Sequence, residues 1–70
     1  MKISARNALK GTVKSITPGT VNTEIVIEVA PGIEVVSMIT KASSDGLGLS
    51  VGSEAYAVIK ASDVMMAVDS

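Results

Sequence analysis

Two Pro-Gly pairs divide the first half of this chain into short segments, and they constrain the fold more than any other feature. Pro18-Gly19 and Pro31-Gly32 are typical of type II turns, in which Pro fixes φ at the second position and Gly accepts positive φ at the third. From Val21 to Val29, apolar and polar side chains alternate with the period of a half-buried strand. The sequence therefore predicts short antiparallel strands joined by tight turns.

The alternation continues along the chain and predicts five strands around one short helix. The strands are expected at Lys10–Ile16, Val21–Val29, Ile33–Thr40, Glu54–Lys60 and Val64–Val68. The helix is expected to begin at Lys41, with Thr40 as its N-cap and Gly48 as a left-handed C-cap. Leu47 and Leu49 are expected to close one end of a barrel. This order predicts an all-β, OB-like five-stranded antiparallel barrel, and without linkers or repeats residues 1–70 predict a single domain.

Missing residue types exclude whole classes of function. The chain has no Cys, His, Phe or Trp, and Tyr56 is its only aromatic residue. Disulfides, thiol nucleophiles, a His-based triad and a zinc site of the usual Cys and His ligands are therefore excluded. A net charge of −1 and the single aromatic residue argue against nucleic acid as a partner.

The short length predicts that copies of this chain associate. A single core of about 70 residues rarely supplies more than about 3–5 kcal/mol, and disulfide or zinc crosslinks are absent here. The chain is nevertheless 47% hydrophobic, and the segment Ile33–Thr40 carries apolar residues on both of its faces. A homo-oligomer accounts for both facts. The alternative is a monomeric barrel rich in Val and Ile with an apolar surface.

No segment has the features of a membrane span or a targeting sequence. The apolar runs at 25–27 and 65–68 are far shorter than the ~20 residues that cross a bilayer. Residues 1–6 contain no apolar stretch of signal-peptide length. A cytoplasmic location without a membrane partner is therefore expected.

Two short segments carry the most distinctive chemistry. Ser4-Ala5-Arg6-Asn7 precedes the first strand and Lys60-Ala61-Ser62 follows the fourth, and both combine a cation with neutral donors and small residues. Irregular backbone of this kind presents N–H groups to an anion, and several donors without carboxylates in these segments suit a compact, multiply charged oxyanion. The alternative for Lys60 is a solubilising residue at the barrel rim. Catalysis is not expected, because the only base near a serine is Lys60, a Ser/Lys nucleophile would need a cleft that 70 residues hardly provide, and the glutamates fall at polar strand or turn positions.

Beside this chemistry, motifs along the whole chain resemble one known family, the molbindins or Mop proteins. The motifs are Met1–Asn7, Leu9–Gly11, Gly19–Glu24, Ile39-Thr40, Leu47–Leu49 and Lys60–Met65. The resemblance implies an OB-like barrel that assembles into hexamers, as trimers of dimers, and binds molybdate or tungstate. The bound oxyanion would be stored, buffered or delivered to cofactor synthesis, as a part of molybdenum transport and homeostasis. It implies no organic cofactor. Pro31, in place of a common Gly, and Gly46 in the short helix depart from the family pattern.

The resemblance also implies where the oxyanion binds. One subunit would supply Ser4, Arg6 and Asn7, and a neighbouring subunit would supply Lys60, Ala61 and Ser62. A secondary oxyanion site near a three-fold axis would include Thr20, Val21 and Asn22.

Two other readings of the sequence stay open. An OB-type structural or interaction module would oligomerise without binding a small ion, and it differs from the oxyanion reading only at the two donor-rich segments. A nucleic-acid-binding OB domain would need a basic surface and stacking residues that the composition does not supply.

Overall fold

A computed structural model describes residues 1–69. It contains four strands, one α-helix and one 3₁₀ turn. Their bounds are β1 Asn7–Pro18, β2 Asn22–Ala30, β3 Ile33–Thr40, α1 Lys41–Leu47, β4 Glu54–Ile59 and the 3₁₀ turn Ala61–Asp63. No helix among the described residues is long and apolar enough to cross a membrane.

The four strands form one curled antiparallel sheet in the order β3-β2-β1-β4. The long strand β1 is shared: its first half pairs with β4 and its second half pairs with β2. The two pairings overlap only at Thr12, which lies opposite both Glu28 and Glu54. A bulge between Val13 and Ser15 follows directly, and it bends the strand where it changes partners.

One turn prediction is confirmed and the other is wrong in its conformation. Gly32 has a φ of 75° between paired Ala30 and Ile33, as a Pro-Gly turn requires. Gly19 is not among the residues with positive φ. Its amide donates to the Asn22 carbonyl at 2.8 Å, and a Cβ there would stand only 2.7 Å from that oxygen. Close approach of the backbone, rather than handedness, is what favours glycine at this position.

The helix follows its predicted caps. The Thr40 side chain accepts a hydrogen bond from the Ser43 amide at 3.1 Å. Gly48 ends the helix with a φ of 65°, and its amide donates to the Asp45 carbonyl. Leu47, however, is 69% exposed and does not close the end of a barrel. It lies in the last position of a seven-residue helix whose one buried residue is Ser44.

The core is small and comes from one face of the sheet. Val13, Ile25 and Ile27 are its buried hydrophobic residues, and Thr23 is buried with them. The alternate positions Glu24, Val26 and Glu28 are only half-buried, which confirms the predicted alternation along β2. On β3, Val36 and Met38 remain 64% and 60% exposed, so the single chain does not cover the outer side of this edge strand.

The fifth predicted strand, Val64–Val68, is wrong for the single chain. Residues 64–69 form no strand, and Met65 and Val68 are each 92% exposed. Apolar residues of this kind become a strand only where another strand offers its backbone groups, and in this structure β3 and β4 remain the sheet edges. The all-β class with one short helix is therefore confirmed, whereas the closed five-stranded barrel is not formed by the described residues.

Candidate functional site

Pairing of β1 with β4 brings the two donor-rich segments together. Asn7, the first residue of β1, lies opposite Ile59, the last residue of β4. The segments that precede Asn7 and follow Ile59 therefore leave the sheet side by side. They border an open depression of about 570 Å³, which is lined by Ile3, Ser4, Ala5, Arg6, Val58, Lys60, Ala61, Ser62 and Asp63.

Five of the six predicted site residues line this depression, and Asn7 does not. The five are Ser4, Arg6, Lys60, Ala61 and Ser62. Asn7 is half-buried, and its side-chain amide donates to the Ile59 carbonyl at 3.3 Å. Asn7 thus connects the start of β1 to the end of β4, and this hydrogen bond holds the two segments next to each other.

The backbone after β4 turns tightly at the edge of the depression. The Asp63 amide donates to the Lys60 carbonyl at 2.8 Å, and the Val64 amide donates to the Ala61 carbonyl at 3.3 Å. These bonds close the 3₁₀ turn Ala61–Asp63 and leave the amides of Ala61 and Ser62 outside it. The small side chains of this turn keep its backbone accessible to a ligand.

The depression carries two cations that no carboxylate neutralises directly. Arg6 and Lys60 are exposed, and neither forms an ion pair within 4.0 Å in the described part of the chain. The ion pairs lie elsewhere on the sheet, between Lys10 and Glu54 at 3.1 Å and between Lys14 and Glu28 at 4.0 Å. Positive charge is therefore available to an anion in this depression.

Three residues of the lining lie outside the two predicted segments. Ile3 and Val58 give the depression an apolar part, and Asp63 adds a carboxylate-bearing residue. The two predicted segments themselves contain no carboxylate, and the one in the lining comes from the residue next to them. Asp63 directly follows the Lys60-Ala61-Ser62 segment, so its place in the sequence was the available signal.

The predicted secondary site lies at the other end of β1. Thr20 and Val21 lie between β1 and β2, Asn22 begins β2, and Pro18 pairs with Thr23 beside them. Two of their carbonyls are already used: Val21 accepts from the Lys41 amide, and Asn22 accepts from the Gly19 amide, each at 2.8 Å. None of these three residues lines the first depression.

A second depression, of about 330 Å³, lies where the middle of β1 meets the end of β2 and the start of β4, and it differs in its electrostatics. Its lining includes Lys10, Glu28 and Glu54. The hydrogen bond and the negative charge of Glu54 raise the pKa of Lys10 above its ordinary value. Because Lys10 is already paired with Glu54, this depression is a poor site for an anion. Among residues 1–69, no group of three or more acidic side chains could hold a metal ion.

Comparison with known proteins identifies relatives of the whole chain. Residues 3–66 match the model of the TOBE domain. A probable molybdenum-pterin-binding protein from Haemophilus influenzae is 49% identical over 69 residues, which cover 99% of this chain and 100% of the relative.

Solved structures of molybdate-binding and Mop proteins share the fold of this chain. MopII from Clostridium pasteurianum superposes with a TM-score of 0.90 at 43% identity, covering 96% of this chain and all of that one. The cytoplasmic molybdate-binding protein ModG, solved with molybdate bound, superposes with a TM-score of 0.88 at 49% identity. That match covers 93% of this chain and 46% of ModG.

Proposed function

Because the chain belongs to the TOBE-domain family, among the small molybdenum-pterin-binding (Mop) proteins, we propose that it binds molybdate in the depression between its two donor-rich segments. The observation that carries the proposal is the shared lining of this depression by Arg6 and Lys60, neither of which is in an ion pair. Tungstate, a tetrahedral dianion of the same shape, is the second ligand we propose.

The chemistry of the lining suits such an ion. Molybdate carries two negative charges near neutral pH and has no proton to donate, so it requires donors on all sides. Arg6 and Lys60 supply charged donors, Ser4 and Ser62 supply hydroxyl groups, and charge-assisted hydrogen bonds of this kind are the stronger ones. ModG, a relative of this chain, is a molybdate-binding protein.

We further propose that the complete site forms between subunits. The depression is open in the single chain, and water would surround much of an ion bound there. In the assembly, a neighbouring subunit would cover each depression, so that Ser4, Arg6 and Asn7 of one subunit also face Lys60, Ala61 and Ser62 of the next. Thr20, Val21 and Asn22 would contribute to a secondary site. The exposed apolar residues Val36, Met38 and Met65 support association of copies, for which we propose a hexamer built as a trimer of dimers.

The role that follows is storage, buffering or delivery of the oxyanion inside the cell, without catalysis and without an organic cofactor. A ligand that binds the assembled protein and not the unfolded chain stabilises the assembly by mass action. We propose a cytoplasmic protein whose partners are its own copies and a small oxyanion, with neither nucleic acid nor a membrane involved.

Native mass spectrometry with molybdate, and with sulfate as the competing dianion, tests this proposal. We expect a hexamer that gains a fixed, small number of molybdate masses and no sulfate. Lys60→Ala should weaken molybdate binding at least tenfold, whereas Lys14→Ala, which removes the same charge outside the depression, should not. A hexamer that stays free of molybdate would contradict the proposal and favour the interaction-module reading. Equal affinity of Lys60→Ala and the wild type would contradict the site.

A further inference from the structure

Asp63 is the acidic residue in the lining of the depression, and its negative charge opposes the binding of a dianion. It lines the same depression as Arg6 and Lys60, and it ends the 3₁₀ turn that Lys60 begins. Its carboxylate forms no ion pair within 4.0 Å in the described part of the chain, so neither cation neutralises it directly. With Asp63 included, the formal charge of the lining is the sum of two positive charges and one negative charge, a net of about +1.

The position of Asp63 is set by the backbone. The Asp63 amide donates to the Lys60 carbonyl at 2.8 Å, which keeps residues 60 and 63 on one turn. A dianion that contacts the Lys60 side chain or the backbone amides of Ala61 and Ser62 therefore binds close to Asp63. The energy between two charges is proportional to their product, so the Asp63 carboxylate opposes a dianion twice as strongly as a monoanion in the same place.

We propose that Asp63 is an affinity- and specificity-determining residue of the oxyanion site. Its negative charge weakens molybdate binding so that the loaded protein releases the ion, and it penalises dianions more than monoanions of equal size. This inference rests on the proposed function and assigns to the site a residue that opposes its ligand. A protein that only retained the ion would gain from a neutral residue here, whereas a protein that passes the ion on gains from faster release.

Asp63→Asn tests the inference because it removes the charge and keeps the size. Asp63 is exposed, so water screens its charge and the expected effect is moderate. We expect molybdate to bind about tenfold more tightly to the variant, in isothermal titration at low ionic strength. Perrhenate, a tetrahedral monoanion of similar size, should gain only about threefold. Both gains should shrink in high salt.

Asp45→Asn is the matched control, since Asp45 is exposed on α1 and lies outside the depression. It should leave both affinities unchanged, and both variants should unfold at the wild-type temperature without anion. Unchanged or weaker molybdate binding in Asp63→Asn, an equal gain in Asp45→Asn, or equal gains for the two anions would each overturn the inference. If the wild-type protein binds no molybdate, the proposed function fails and the role of Asp63 fails with it. If the wild type binds molybdate and Asp63→Asn shows no gain, only the role of Asp63 fails.

Discussion

Replacement of Gly11 by alanine should destabilise the protein, because β1 and β2 touch at this residue. Gly11 lies in β1, opposite Ala55 of β4, on the side of the sheet that contains Val13. A Cβ at Gly11 would collide with the carbonyl oxygen of Glu28 and would stand 2.8 Å from Cγ1 of Ile27. The first obstacle is backbone, so relief requires the strands to separate rather than a side chain to rotate.

Forcing an extra carbon into a packed region costs about 1–3 kcal/mol. In a domain of this size, a loss of about 2 kcal/mol lowers the Tm by roughly 8–16 °C. We expect Gly11→Ala to show this loss in urea and thermal unfolding followed by circular dichroism. The protein concentration must be the same for every variant, since association of copies would add a concentration-dependent term.

Gly46→Ala is the matched control for the same substitution. Gly46 lies within α1, lacks positive φ, and an added Cβ there meets nothing within 4 Å. Alanine should stabilise the helix by about 0.5–1 kcal/mol, because glycine loses more conformational freedom on folding. The two variants should therefore change stability in opposite directions. A Gly11→Ala protein as stable as the wild type would refute the close approach of β1 to Glu28.

Three further predictions follow from individual contacts. Thr23→Val should stabilise the protein by about 1 kcal/mol in urea unfolding, because the buried Thr23 hydroxyl has no hydrogen-bond partner among residues 1–69, and an equal or lower midpoint would contradict this. Thr40→Ala should cost about 1 kcal/mol by removing the N-cap of α1, and Thr40→Ser should restore the unfolding midpoint. Glu54→Gln should return the pKa of Lys10 toward its ordinary value in an NMR titration. Since folding raises that pKa, the stabilisation from this pair is complete below the pKa of lysine in the unfolded chain, and it is lost as the pH rises through the folded-state value.

The strands and the helix caps were predictable because their signals are local. Alternation along β2, the Pro31-Gly32 turn, the Thr40 cap and the Gly48 cap each depend on residues within a few positions of one another. Such signals determine the conformation wherever the surrounding packing agrees with them. The bounds of Ile33–Thr40 were predicted as the structure has them.

Two local signals were misleading because a distant or alternative contact decides the outcome. The apolar residues at Val64–Val68 resemble a strand, yet a strand also needs a neighbour, and residues 1–69 of their own chain provide none. Gly19 resembles the third residue of a type II turn, yet its role is to leave space for the Asn22 carbonyl. Neither fact can be derived from alternation or from residue preference alone.

The candidate site shows the same division. Arg6 and Lys60 were identified by their chemistry, but only the register of β1 against β4 places their segments at one depression. That register joins residues separated by 52 positions, which no local pattern specifies. Asp63 was missed because the predicted segment stopped at Ser62, and the 3₁₀ turn extends one residue further.

The division of β1 between two partners has a consequence for the order of folding. Pairing of β1, β2 and β3 joins neighbours in sequence through short turns, whereas pairing of β1 with β4 closes a long loop. Loop-closure entropy makes such non-local contacts slower to form, so we expect the three-stranded meander to form first and β4 to dock last. The two donor-rich segments meet only in that last step. Backbone amides at the start of β1 and the end of β4, which border the depression, should accordingly exchange their hydrogens faster than amides at the centre of β2.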